Sequence, residues 1–165
     1  GLSGELAQAV RAREIDIAVV TAPKTLIDGL ISQPICDEPL DVIMPNSIKA
    51  ETDTEALAHP FIWFNRKAWA GQLIEEQLAQ RRISVRPVME IDSIEAIEAL
   101  VAHGLGVSIT PRRMLSAHDH PELRRLPFGR PPLFRTLSMI SLDRSAKRRF
   151  ADSLLAEMKQ ITDQA

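Results

Sequence analysis

An α/β fold is what this sequence predicts, from three observations. Apolar segments of strand type alternate with amphipathic helical segments along the 165 residues, the pattern of a layered sheet with helices on its faces. Residues 89–111, MEIDSIEAIEALVAHGLGVSITP, read as a complete strand, helix, strand unit. Hydrophobic content of 45% beside 25% charged residues is that of an ordinary globular protein, long enough to bury a core.

Taken in order, the first helix puts Leu6 and Val10 on one face, with Ser3 placed to cap it, and runs into an apolar strand over 15–21. Residues 23–29 form a loop. Two extended segments follow, 30–36 and 40–45, with Pro34, Pro39 and Pro45 expected at their ends because proline cannot donate to a ladder. Thr52 or Asp53 caps a short helix through Leu57, and Phe61 to Phe64 is a short strand. The next helix, from Trp69 to about Arg82, turns Leu73, Ile74 and Leu78 to a core.

In the 89–111 stretch the strand covers 85–91. Ile94, Ile97, Leu100 and Val101 recur at helical spacing, and Asp92 with Glu95 three residues on makes a capping-box pattern. Gly104 stops the helix, since a residue without Cβ takes the left-handed conformation readily. Gly106 keeps the approach of the following strand, 105–110, close. Beyond it come a helical 112–116, a strand over 123–128, a bend at 129–133, a strand over 134–142 and a final helix over 144–161. That helix places Phe150, Leu154, Met158 and Ile161 on one stripe.

Several function classes are disfavoured. A net charge of −2 does not suit a phosphate-binding surface. The arginine pairs at 81–82, 112–113 and 124–125 fall in different elements and read as solvated faces. No phosphate-loop, dinucleotide or nucleophile-elbow motif occurs, and no cofactor is implied. His118 and His120 flank Asp119, an H-x-H spacing too loose to argue for a metal. The one cysteine, Cys36, has no internal partner and reads as a small buried hydrophobe. With no run of 18 apolar residues and no signal-peptide pattern, a cytoplasmic setting without membrane contact is the default expectation.

Three segments carry a family resemblance. IDSIEAIEALVAHGLGVSITP resembles the stretch of LysR-type transcriptional regulators in which a helix ends in V-x-x-G-x-G-[IV] and leads to a strand and proline. Residues 5–21, ELAQAVRAREIDIAVVT, resemble that family's L-x-x-G-x-[LI]-D-[LI]-A-[IV]. Residues 34–45, PICDEPLDVIMP, are similar to its L-x-e-e-p-L-x-x-x-x-P. In this order the three cover nearly the whole chain. One departure is Arg13, standing where the family has glycine, which suggests a different helix end.

The resemblance implies a fold like the type-II periplasmic binding proteins: two α/β lobes joined by two crossover strands, with 1–45 and 134–165 in one lobe and 46–133 in the other. It implies that the first lobe is incomplete, so the sheet containing 15–20 should show an unpaired edge. The implied function is a non-enzymatic effector-binding domain that takes a small organic molecule between its lobes. DNA contact through an N-terminal winged helix-turn-helix outside these residues is implied, as are homodimers or homotetramers of the full-length protein. A transporter's solute-binding protein and an enzyme share the fold and stay open as alternatives.

Candidate ligand contacts follow from the strand-to-helix junctions, because open α/β sheets bind ligands outside the carboxyl ends of their strands. Asp92 and Ser93 form one junction, where capping is the first role of Asp92 and Ser93 is left to offer its hydroxyl. Phe64, Asn65 and Arg66 form a second, and Arg66 is expected to offset the charge of Asp92. Ser3 and Thr21 are the counterparts in the other lobe, Ser3 by resemblance to a Ser or Thr that touches effector. Trp63 and Trp69 are assigned to packing before stacking on a ligand.

Overall fold

A computed structural model describes residues 2–25, 27–113 and 120–163. Seven strands and five helices alternate along these residues, and the chain divides into two compact units. One comprises Gly1–Glu38, Arg113–Ser116 and Arg135–Ala165; the other comprises Pro39–Arg112 and Ala117–Phe134.

In the first unit, helix α1 (Ser3–Arg11) buries Ala7 and Val10 and packs on strand β1 (Ile17–Thr21). Its helical start lies one residue earlier than the sequence suggests: Leu2 occupies the cap position and Ser3 is the first helical residue. The Glu5 carboxylate, not a serine hydroxyl, closes this end by accepting the Leu2 N–H at 3.2 Å. The other end ends in a left-handed turn. Arg13 has φ +63°, its N–H donates to the Val10 carbonyl and the Glu14 N–H to the Ala9 carbonyl, the paired bonds of a Schellman motif. Arginine therefore adopts the left-handed conformation that glycine takes more readily. Arg82, at φ +55°, ends a later helix in the same way.

Strand β1 runs antiparallel to β7 (Phe134–Leu142), with Ile17 opposite Ser141 and Thr21 opposite Leu137. β7 lies next to β2 (Leu30–Pro45). Among the described residues β1 pairs with β7 alone, so its outer edge is unpaired, as expected. β2 is one 16-residue strand, not two segments: Pro34 and Pro39 sit inside it. Pro39 marks the change of unit, and its carbonyl accepts the Arg112 N–H at 2.8 Å. Helix α5 (Arg148–Asp163) packs Ala151, Leu154, Leu155 and Met158 over Ile35, Leu137 and Met139. The stripe drawn from sequence is thus half right. Phe150 and Ile161 lie 64% and 55% exposed, because the buried line runs one residue further round the helix through Ala151 and Leu155.

The second unit is a three-layer sandwich. β3 (Pro60–Phe64) and β4 (Arg86–Ile91) pair in parallel. Val107 bridges β3 to β5 (Ser108–Pro111): its N–H donates to the Pro60 carbonyl and its carbonyl accepts the Ile62 N–H. β5 pairs antiparallel with residues 40–43 of β2, whose other edge takes β6 (Leu123–Pro127). A Cβ on Gly106 would lie 2.4 Å from the Pro60 carbonyl oxygen, so only glycine lets this strand come so close to β3.

Alternation sorts the side chains by face. Leu40, Val42, Met44, Phe61, Trp63, Val107 and Ile109 form one core with helices α2 (Asp53–Leu57) and α3 (Trp69–Gln80). Ile43 and Ile62 form the other with Ile97 and Val101 of helix α4 (Ile94–Ala102). Gly104, φ +81°, closes α4 with a third Schellman pair, Gly104 to Val101 and Leu105 to Leu100. Of the helix expected at 112–116, Arg112 and Arg113 are not helical and 114–116 lie outside the described residues.

Thr52 caps α2, accepting the Glu55 N–H at 3.2 Å. Asp53 is free for another task. Its Oδ2 accepts from Arg81 at 2.6 Å and from the Gly129 N–H at 2.8 Å, and Arg81 lies 4.9 Å over the Phe128 ring. Burial alone raises the Asp53 pKa; the Arg81 and Gly129 bonds outweigh it and hold the carboxyl below the usual carboxylate range. Its stabilising contribution is therefore complete above that ordinary range and disappears as acid protonates it in the folded state.

Two outcomes are expected from chemical denaturation. Arg13→Gly should raise stability by about 1 kcal/mol, since a residue with Cβ in the left-handed region costs about 1–2 kcal/mol. Asp53→Asn should lower it by about 1–3 kcal/mol at neutral pH, with the difference from wild type shrinking as the pH falls through the acid range.

Candidate functional site

The parallel pairing of β3 and β4 places their carboxyl ends side by side. The Asn65 N–H donates to the Ile91 carbonyl at 2.9 Å, so the turn into α3 and the turn into α4 are hydrogen-bonded neighbours. Asn65 shapes its own turn: Oδ1 accepts the Lys67 N–H at 2.9 Å and the main-chain carbonyl accepts the Ala68 N–H at 3.0 Å, an Asx-turn. This turn uses the two oxygens of Asn65, so the side-chain amide N–H donors take no part in it. Gly71 holds the arrangement close, since a Cβ there would lie 2.1 Å from the Asn65 carbonyl oxygen.

The neighbouring residues divide between packing and polar roles. Phe64 is half-buried and packs on the α4 core. Trp63 is buried edge-on to Phe61, with ring centroids 5.0 Å apart, confirming packing as its role. Arg66 is not a spare cation. Its N–H and Nε bind the two Glu90 oxygens at 3.0 and 3.1 Å, Glu75 lies 3.6 Å away, and the guanidinium sits 5.5 Å from the Trp63 ring. The backbone hydrogen bond from Arg66 and its charge in turn lower the Glu90 pKa.

At the second junction the roles assigned from sequence exchange. Ser93 is the cap of α4, its Oγ accepting the Ala96 N–H at 3.2 Å and donating to Glu95 at 3.0 Å. Asp92 lies one residue before the cap, exposed. The strand keeps its pairing through Ile91, opposite Phe64, so the chain needs one residue to leave the sheet before the helix begins. The Asp92–Glu95 capping box does not form for that reason.

In the first unit Thr21 is buried at the end of β1, and Oγ1 accepts from Arg135 at 3.3 Å. Arg135 also grips Glu38 Oε2 with Nε at 2.8 Å and a terminal nitrogen at 2.6 Å. Thr136 donates to Asp37 at 2.6 Å beside them. Cys36, next in line, has its thiol pKa pushed up by burial and then by Glu38 and Asp37, against the pull of Arg135, the opposite of the shift that activates a thiol. Ser3 is half-buried at the start of α1.

The structure thus brings Phe64, Asn65, Arg66, Asp92 and Ser93 to one sheet edge of the second unit, and places Ser3 and Thr21 in the first. Sequence reasoning missed Glu38, Asp41 and Arg135. Asp41 is fully buried and bonded to Arg112 Nε at 2.7 Å; burial raises its pKa against the pull of Arg112. The signal was a lone carboxylate inside the apolar run Leu40–Met44. Among the described residues no cluster of three or more His, Cys, Asp or Glu could hold a metal ion. His118 and Asp119 lie outside the described residues, and His120 approaches Glu98 at 3.8 Å. No helix of the described residues is long and apolar enough to cross a membrane.

Comparison with known proteins gives consistent matches. Residues 1–161 match the family described as LysR substrate binding domain. A probable RuBisCO transcriptional regulator of Phaeodactylum tricornutum is 27% identical over 170 residues, covering 96% of this chain and 55% of that protein. An uncharacterised HTH-type transcriptional regulator of Escherichia coli, YfiE, is 44% identical over 59 residues, 35% of this chain and 20% of that protein. The chain therefore spans about half or less of these curated relatives. Among solved structures, the effector-binding domain of QuiR in complex with shikimate has a TM-score of 0.83 at 20% identity, over 97% of this chain and 79% of that one. The Synechocystis CcmR regulatory domain in complex with 2-PG has a TM-score of 0.81 at 24% identity, over 96% and 80%.

Proposed function

Because the chain belongs to the LysR substrate-binding-domain family, we propose that it is the ligand-sensing part of a LysR-type transcriptional regulator, a sensor and not an enzyme. The observation that carries this is the family match across residues 1–161. The curated relatives bear the names of transcriptional regulators, which supports the non-enzymatic reading.

The ligand proposed is a small organic molecule bearing hydrogen-bond acceptors. It meets the sheet edge where β3 and β4 end, at the Asn65 amide, beside Phe64 and the start of α4, where backbone N–H groups favour an acceptor. Two similar domains were solved with small organic ligands, shikimate and 2-PG, and their presence supports the same class here. Arg66 and Ser93 act by fixing the two turns. Ser3 and Thr21 are the candidate contacts of the first unit, and Arg135 fixes the hydroxyl of Thr21.

The proposed mechanism is a population shift: a ligand changes the balance of conformations only by as much as it binds one better than the other. In the full-length regulator the response passes to an N-terminal winged helix-turn-helix that contacts DNA, within a homodimer or homotetramer in the cytoplasm. These last features rest on the resemblance to the family.

Asn65→Asp tests the site without dismantling it, because the carboxylate keeps the Oδ1 acceptor of the turn and removes only the amide donor. In a thermal-shift panel of small organic acids, at least one should raise the Tm of wild type. For that ligand Asn65→Asp should weaken binding about tenfold or more, a loss of about 1.4 kcal/mol. An unchanged affinity in the folded variant removes Asn65 from the site, and a panel without any binder counts against the sensor reading.

A further inference from the structure

Among the described residues, three buried polar atoms of the second unit have no hydrogen-bond partner: Asp41 Oδ1, Thr110 Oγ1 and one terminal nitrogen of Arg125, Nη1. Strand register brings their side chains together. Asp41 stands directly opposite Thr110 across the β2–β5 ladder, so both leave the same face with Cβ atoms about 5 Å apart. Arg125 stands opposite Ile43 across the β2–β6 ladder, one same-face step along β2 and within the reach of a long side chain. This is the face covered by α4, whose Glu98 completes the surround.

Each of the charged side chains is anchored by another atom. Asp41 Oδ2 accepts from Arg112 Nε at 2.7 Å, and Arg125 Nη2 donates to Glu98 Oε1 at 2.8 Å. Asp41 and Thr110 are 0% exposed. Buried polar groups in folded proteins are nearly always hydrogen-bonded, so three unpartnered atoms on adjoining strands indicate a missing partner.

The partner's chemistry follows from the three groups. An anion meets the Asp41 carboxylate, and a cation meets the Arg125 guanidinium. A neutral O–H group donates its one proton to Asp41 Oδ1 and accepts from Arg125 Nη1 and from the Thr110 hydroxyl; a water, with a second proton, can also donate to Thr110. We propose that Asp41, Thr110 and Arg125 form a buried subsite for one hydroxyl group. Two sources share that chemistry: an ordered water, of the kind that bridges about three buried polar groups, or the hydroxyl of a small polyol or hydroxy acid. The subsite does not depend on the sensor reading, since the three atoms need a partner whatever the chain detects.

A ligand-free crystal structure should show an electron-density peak 2.6–3.2 Å from all three atoms. Thr110→Val, nearly isosteric but lacking the hydroxyl, should lower the Tm by about 2–4 °C, and Thr110→Ser should recover most of that loss. Thermal shift with lactate against propionate separates the sources. Equal shifts in wild type assign the site to water; an excess for lactate that vanishes in Thr110→Val and returns in Thr110→Ser assigns it to a ligand hydroxyl. An empty gap in the density overturns the proposal. So does a Thr110→Val protein more stable than wild type, the result expected when an unpartnered hydroxyl is simply removed. The density reads the site even where Thr110→Val does not fold.

Discussion

The hydrogen bond from the Asn65 N–H to the Ile91 carbonyl joins the two places where a strand of the second unit hands over to a helix. Parallel pairing brings the carboxyl ends of both strands together, and that bond extends the pairing one residue past β3, from Asn65 to Ile91, the last residue of β4. The bond ties Asn65 to the end of β4, beside the start of α4. Together they form one polar rim above an apolar sheet.

Close backbone approach makes the rim possible, and two glycines permit the approach. Gly71 sets the first turn of α3 against the Asn65 carbonyl, and Gly106 sets the start of β5 against Pro60. A methyl group at either place would stand well inside contact distance of a carbonyl oxygen, so the constraint is steric and local. Electrostatics then finishes the rim. Arg66 is committed to Glu90 and Glu75, both exposed, where ion pairs are worth little; their effect is on the position of the turn more than on stability. Asp53, bound by Arg81 and the Gly129 N–H, is largely buried, where such a pair contributes more than the exposed ones do.

Much of this was legible in the residues. The extended segment over 40–45, the 3.6-residue spacing through α4, and Gly104 as its stop all follow from period and backbone chemistry, and the structure has them. What was not legible turns on one-residue offsets and on partners distant in sequence. Asp92 and Ser93 are both good caps, and only the pairing of Ile91 with Phe64 decides between them. Arg13 sits in a left-handed turn that its type does not announce. Pro39 lies inside β2 instead of ending it, at the point where the chain changes unit. The Arg135–Glu38 pair joins residues 97 apart in sequence, and no local pattern reveals it.

The account rests on the joined turns being where a ligand docks. Amide chemical shifts of the 15N-labelled chain, titrated with whichever small organic acid gives the largest thermal shift, read that directly. The account predicts the largest, saturable shifts at Asn65, Arg66, Ser93 and the first turn of α4, with the Asn65 side-chain amide among them. Saturable shifts confined elsewhere, with these amides unmoved, would contradict it.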